Sequence, residues 1–82
     1  MDEQSPPLDK VVIIARIEHL ILNLFNDPDI IFEEICRLID EHKISEIPDS
    51  MRYCYEVLYL KGYPEYAEKF AIRYAIPRME NS

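Results

Sequence analysis

The sequence predicts an all-α fold, a compact bundle of four short helices, and three observations lead there. Prolines at positions 6–7, 28, 48 and 64 divide the chain into four segments of helical length. Within those segments apolar residues recur at three- and four-residue spacing, the periodicity of an amphipathic helix. No stretch alternates apolar and polar residues for long enough to make a strand.

The first helix is expected to start near Ser5-Pro6-Pro7, where Ser5 offers a cap oxygen and the prolines need no helical hydrogen bond. Its apolar positions continue to Phe25, while Asp9, Arg16, His19, Asn23 and Asn26 fall on one narrow stripe. A helix so nearly apolar all round is either the central element of the bundle or has a second face covered by a partner or a second copy. Asp27-Pro28-Asp29 opens helix two, with Asp27 as cap and Asp29 favoured by the helix dipole. Ile31, Phe32, Ile35, Leu38 and Ile39 form its inner face, opposite Glu33, Glu34, Arg37, Asp40 and Glu41. His42 and Lys43 suit its negative end.

Pro48 opens helix three, which runs to about Lys61, where Gly62 fits a left-handed cap. Tyr63-Pro64 restarts the chain at once, so helices three and four form an antiparallel hairpin. Helix four is expected to reach about Ile76 before Pro77 stops it. It carries two stripes, Tyr66, Phe70 and Tyr74 beside Ala67, Ala71 and Ala75. The bland reading packs both on helix three, and the functional one docks them on another protein. All 82 residues read as one domain, with flexible ends at 1–6 and 78–82.

Composition narrows the function classes. A chain of 82 residues, 49% hydrophobic, is too apolar for disorder, although so short a chain buries only about 60% of its unfolded surface. The formal charge of −7 disfavours general binding to nucleic acid, which needs a positive field. The acidic start lacks the basic residues of a signal peptide, and the Val11–Phe25 run is too short and too interrupted to span a bilayer. The chain therefore reads as cytoplasmic and not membrane-bound. Twelve Ile, abundant Glu, no Thr and a single Gln resemble thermophile usage. That is the setting in which Cys36 and Cys54 could pair; otherwise both read as small buried hydrophobes.

No reactive constellation is present. There is no G-x-S-x-G, no glycine-rich phosphate loop and no H-E-x-x-H, and a single glycine cannot build a backbone cradle. His19, Cys36, His42 and Cys54 have zinc-ligand chemistry, but their spacing matches no known knuckle. The sequence thus predicts no enzyme, no catalytic residue, no metal site and no cofactor.

Charge and aromatics are unevenly placed. Residues 1–49 hold twelve acids and four bases, and residues 50–82 hold four acids and five bases. All six tyrosines fall in the second part, interleaved with Arg52, Lys61, Lys69, Arg73 and Arg78. Tyrosine and arginine are enriched at the centres of protein interfaces. The residues expected to contact a partner are Arg52, Tyr59, Tyr63, Tyr66, Lys69, Arg73 and Tyr74. Two other readings stand beside that one: half-buried bundle tyrosines with wet hydroxyls, and a stacking platform for single-stranded nucleic acid. A helix-turn-helix fits poorly, because Glu65 and Glu68 would face phosphate.

The size, the acidic balance and the segment RYCYEVLYLKGYPEYAEKFAIRYAIPR resemble the small all-helical accessory subunit of archaeal B-family DNA polymerase holoenzymes. The resemblance implies a non-catalytic partner that stabilises a replicative polymerase, and no site residue is carried over from it. The expectation is a non-catalytic interaction module bound to a larger protein. The alternative is a small nucleic-acid-associated regulator using helices three and four.

Overall fold

The computed structural model describes residues 8–77, so the expected Ser5 cap, the two chain ends and Arg78 lie outside the described residues. The elements are α1 (Leu8–Leu22), a 3-10 turn (Leu24–Asn26), α2 (Pro28–Glu41), a second 3-10 turn (Ile44–Glu46), α3 (Pro48–Leu60) and α4 (Pro64–Tyr74). No strand occurs among the described residues, and the four helices pack as a small all-α bundle with α3 and α4 most closely paired.

Three helices start by one device. Asp27, Ile47 and Tyr63 each precede a proline, which disfavours helical backbone at that residue. Each carbonyl then accepts the first helical hydrogen bond, from Ile31, Met51 and Ala67 at 2.9, 3.1 and 2.9 Å. Proline at the first position removes a donor that would have had no partner. The expected side-chain cap from Asp27 does not form.

Helix ends use left-handed residues. Gly62, at φ +94°, follows α3, and the Tyr63 N–H donates to Leu58 at 3.0 Å while the Gly62 N–H donates to Tyr59 at 3.2 Å. These two bonds make a Schellman cap. Ala75, at φ +55°, does the same for α4, with the Ile76 N–H reaching the Ala71 carbonyl at 2.9 Å. Helix four therefore stops at Tyr74, and Ala75 leaves the small stripe to become the cap. Helix one likewise stops at Leu22 and not at Phe25, its last turn tightening into the 3-10 segment.

Long-range contacts fix the directions. The Lys10 amine donates to the His42 carbonyl, so α1 starts where α2 ends. The Tyr66 hydroxyl donates to Asp29 at 2.8 Å, and that of Tyr74 donates to Asp40 at 3.0 Å, so α4 runs parallel to α2. The chain thus goes up, down, up and down.

The core is formed by Ile17 and Ile21 of α1 with Leu24, by Phe32, Ile35, Cys36 and Ile39 of α2, and by Cys54 and Leu58 of α3 with Phe70 of α4. Cys36 and Cys54 are both free and buried among these apolar groups. Burial raises both thiols, that of Cys54 to about 12. Helix one is less central than its composition suggests. Its inner side is buried, yet Val11, Val12 and Leu22 stand 44 to 60% exposed.

Candidate docking surface

The seven residues expected to face a partner separate into two groups. Tyr66, Lys69, Arg73 and Tyr74 converge on the seam between α4 and α2. The Tyr66 ring lies 5.3 Å from Phe32, and Phe70 meets Phe32 edge-on at 6.5 Å and Tyr74 at 5.1 Å. The aromatic stripe of helix four therefore packs on helix two, which corrects the expected contact with helix three. Rings are long enough to bridge that wider separation. The buried Ala67 and Ala71 fit the tighter approach between α4 and α3.

Polar atoms along this seam are satisfied within the chain. Asp29 and Asp40 stand near the two ends of α2 and accept the hydroxyls of Tyr66 and Tyr74. The Tyr74 hydroxyl also approaches the Cys36 carbonyl at 3.4 Å. Arg73 pairs with Asp40 at 3.4 Å and covers the Tyr74 ring, while the Lys69 amine sits 4.9 Å above the Tyr66 ring. The hydrogen bond to Asp29 pushes the Tyr66 hydroxyl above the usual tyrosine range, and burial does so for Tyr74. The seam closes the fold, so these four side chains are structural before they are anything else.

Arg52 and Tyr59 stand apart from the seam on α3, two turns from each other on one stripe. Arg52 pairs with Glu56 at 3.2 Å, and Tyr59, 46% exposed, lies 6.2 Å from the buried Tyr55 ring. Tyr63 is half-buried at the hairpin and packs against the core. Tyr53 faces the α1 side, where its hydroxyl bonds to Glu18 and is pushed up by that bond. Bases and tyrosines of the second half therefore do not form one continuous basic face.

Open grooves mark the surface of the described residues. One lies along α2 and α4 and is lined by Asp29, Ile30, Glu33, Glu34, Arg37, Asp40 and Arg73. Two of its carboxylates are paired, Glu34 with Arg37 and Asp40 with Arg73, and the bond from Arg37 draws the Glu34 carboxyl below its ordinary value. Another runs between the start of α3 and the end of α4, with Met51, Ile76 and Pro77 on its apolar side. No group of three or more His, Cys, Asp or Glu able to hold a metal lies among the described residues. No described helix is long and apolar enough to cross a membrane.

The sequence reading missed the most exposed apolar side chains. Leu60 is 74% exposed, Ile72 67%, and Phe25 and Ile30 66% each. For Ile30 a signal was available, because it lies three, four and seven residues before Glu33, Glu34 and Arg37 and so on the charged side of α2. Phe25 gave none, since its placement depends on α1 ending early. Comparison with known proteins adds no relative: no family model, no curated protein and no solved structure matches the chain.

Proposed function

We propose that the chain is a non-catalytic interaction module, a small accessory subunit that binds and steadies a larger protein. The observation that carries this reading is the combination of a closed core with large apolar side chains left in water, Leu60, Ile72, Phe25 and Ile30 foremost. An 82-residue domain has little apolar surface to spare, and exposing it lowers solubility unless a partner covers it. The resemblance to the archaeal polymerase accessory subunit makes a DNA polymerase the specific partner to test first.

A nucleic-acid regulator is less well supported. Arg73 and Lys69 lie among Asp29, Asp40 and the tyrosine rings, and Arg52 is paired with Glu56. Phosphate would meet a carboxylate beside both arginines.

Capture of the tagged protein from nuclease-treated native lysate tests the reading. One stoichiometric large protein is the expected result, and primer extension by the isolated subunit is expected to be nil. Recovery of nuclease-sensitive material alone, with tight single-strand binding that falls steeply with salt, would favour the regulator instead.

A further inference from the structure

The groove between the start of α3 and the end of α4 encloses about 360 Å³. Met51, 4% exposed, and the half-buried Ile76 lie on its apolar side with Pro77, while Asp49 and Arg52 line it with charge. The chain leaves α4 at this same groove. Ala75 turns it through a left-handed cap, and Pro77 locks its own backbone while disfavouring helix at Ile76. The direction of departure is therefore set before the next residue. Residues 78–82, Arg-Met-Glu-Asn-Ser, follow in the sequence.

We infer that this following segment is the groove's occupant, with Met79 over Met51 and Ile76 and with Arg78 beside Asp49. Reach, shape and charge select it. The groove's 360 Å³ equals a cube about 7 Å on edge, and the two residues from Pro77 to Met79 span at most about 7 Å. Methionine is unbranched and polarisable, which suits an irregular apolar gap floored by another methionine. Arg52 is already paired with Glu56 at 3.2 Å, which leaves the exposed Asp49 to receive Arg78.

Other occupants fare worse. A segment joined to the groove's own rim is present at an effective concentration on the order of millimolar, which a second copy or an outside peptide would have to exceed. Residues 1–7 join the fold at Leu8, which does not line the groove, and their Asp2 and Glu3 would be set against Asp49. On this assignment the groove is completed by the chain itself, and a partner protein docks elsewhere.

Methyl NMR of the full chain, labelled at the methionine ε and isoleucine δ1 methyls, tests the assignment. Expected are cross-peaks from Met79 to Met51 and Ile76 that persist on tenfold dilution. Met79→Ser should shift the Met51 methyl, and Asn81→Ala should leave it in place. Trypsin reads the charge contact: cleavage after Arg78 should run at least threefold faster in Asp49→Asn than in the wild type. Unchanged cleavage after Lys61 shows that this variant remains folded; should it unfold, the Met79→Ser shift carries the test alone. Cross-peaks from Met1 to Met51 would give the groove to residues 1–7, and cross-peaks that fade on dilution would give it to a second copy. Either result overturns the inference, as does a Met51 methyl that Met79→Ser leaves unmoved.

Discussion

Ala75→Gly tests the backbone account most sharply, because its sign depends on where α4 ends. Ala75 sits at φ +55°, ψ +44°, a conformation that costs an L-residue about 1–2 kcal/mol. Glycine removes that strain but gives the unfolded chain more freedom, an opposing effect of about 0.4–1 kcal/mol. The net expectation is stabilisation by about 0.5–1 kcal/mol. In a domain of this size that raises the melting temperature by roughly 2–8 °C. Thermal unfolding followed by circular dichroism, with a urea midpoint as cross-check, measures it. A loss of about 1 kcal/mol, the penalty for glycine inside a helix, would mean that Ala75 continues α4 and that the cap is wrong. The reciprocal change at α3 must go the other way. A Cβ on Gly62 would meet nothing within 4 Å, so Gly62→Ala should cost the backbone strain less the freedom removed from the unfolded chain, about 0.5–1 kcal/mol net.

Other substitutions probe the core and its titrating groups. Phe70 is fully buried between Phe32 and Tyr74, so Phe70→Ala should cost about 3–5 kcal/mol. The whole domain is stable by only about 4–12 kcal/mol at typical values per residue, so urea unfolding should show the loss of a quarter or more of the stability. Tyr74→Phe should cost about 1 kcal/mol by removing one donor from Asp40, which keeps Arg73, and from the Cys36 carbonyl, read from the same urea curves. Cys36 and Cys54 should react with a thiol-specific disulfide reagent only as fast as the chain unfolds, because burial keeps both protonated. Rapid labelling of the native protein at neutral pH would contradict their placement.

Stability should also fall in alkali. The Cys54 thiol is raised from 9.0 to about 12, and the Tyr66 and Tyr74 hydroxyls are raised from 10.0. Each group favours the folded state while neutral, so its contribution is whole below the unfolded value. That contribution is lost as pH rises from about 9 through the folded values. A urea midpoint that is flat from pH 8 to 11 would refute this.

Much of the architecture is legible in the sequence, for reasons tied to particular residues. Pro28, Pro48 and Pro64 announce helix starts because proline restricts both itself and the residue before it. Gly62 announces a cap because glycine alone enters the left-handed region without strain. Ala75 enters the same region silently, since nothing in an alanine marks it, and so the sequence pattern carries α4 two residues beyond its end at Tyr74. The aromatic stripe was visible as a stripe, but its target was not. Whether Tyr66, Phe70 and Tyr74 meet helix two or helix three depends on the separation between helices, which Ala67 and Ala71 set on the opposite side.

The expected docking residues show the same division. Composition places tyrosine and arginine together in the second half, yet bonds to Asp29 and Asp40 draw Tyr66, Arg73 and Tyr74 into the fold. Those carboxylates lie 33 to 37 residues away in the chain, beyond the reach of any local pattern. That Phe25 is left uncovered follows from where α1 stops.

The central claim is that this chain works by presenting its exposed apolar side chains to a larger protein. Parallel capture from nuclease-treated lysate, using the wild type and the Phe25→Ser/Leu60→Ser variant at equal concentration and equal helicity, tests it most directly. The account predicts a stoichiometric protein partner retained by the wild type and lost by the variant. Equal retention by both would contradict it.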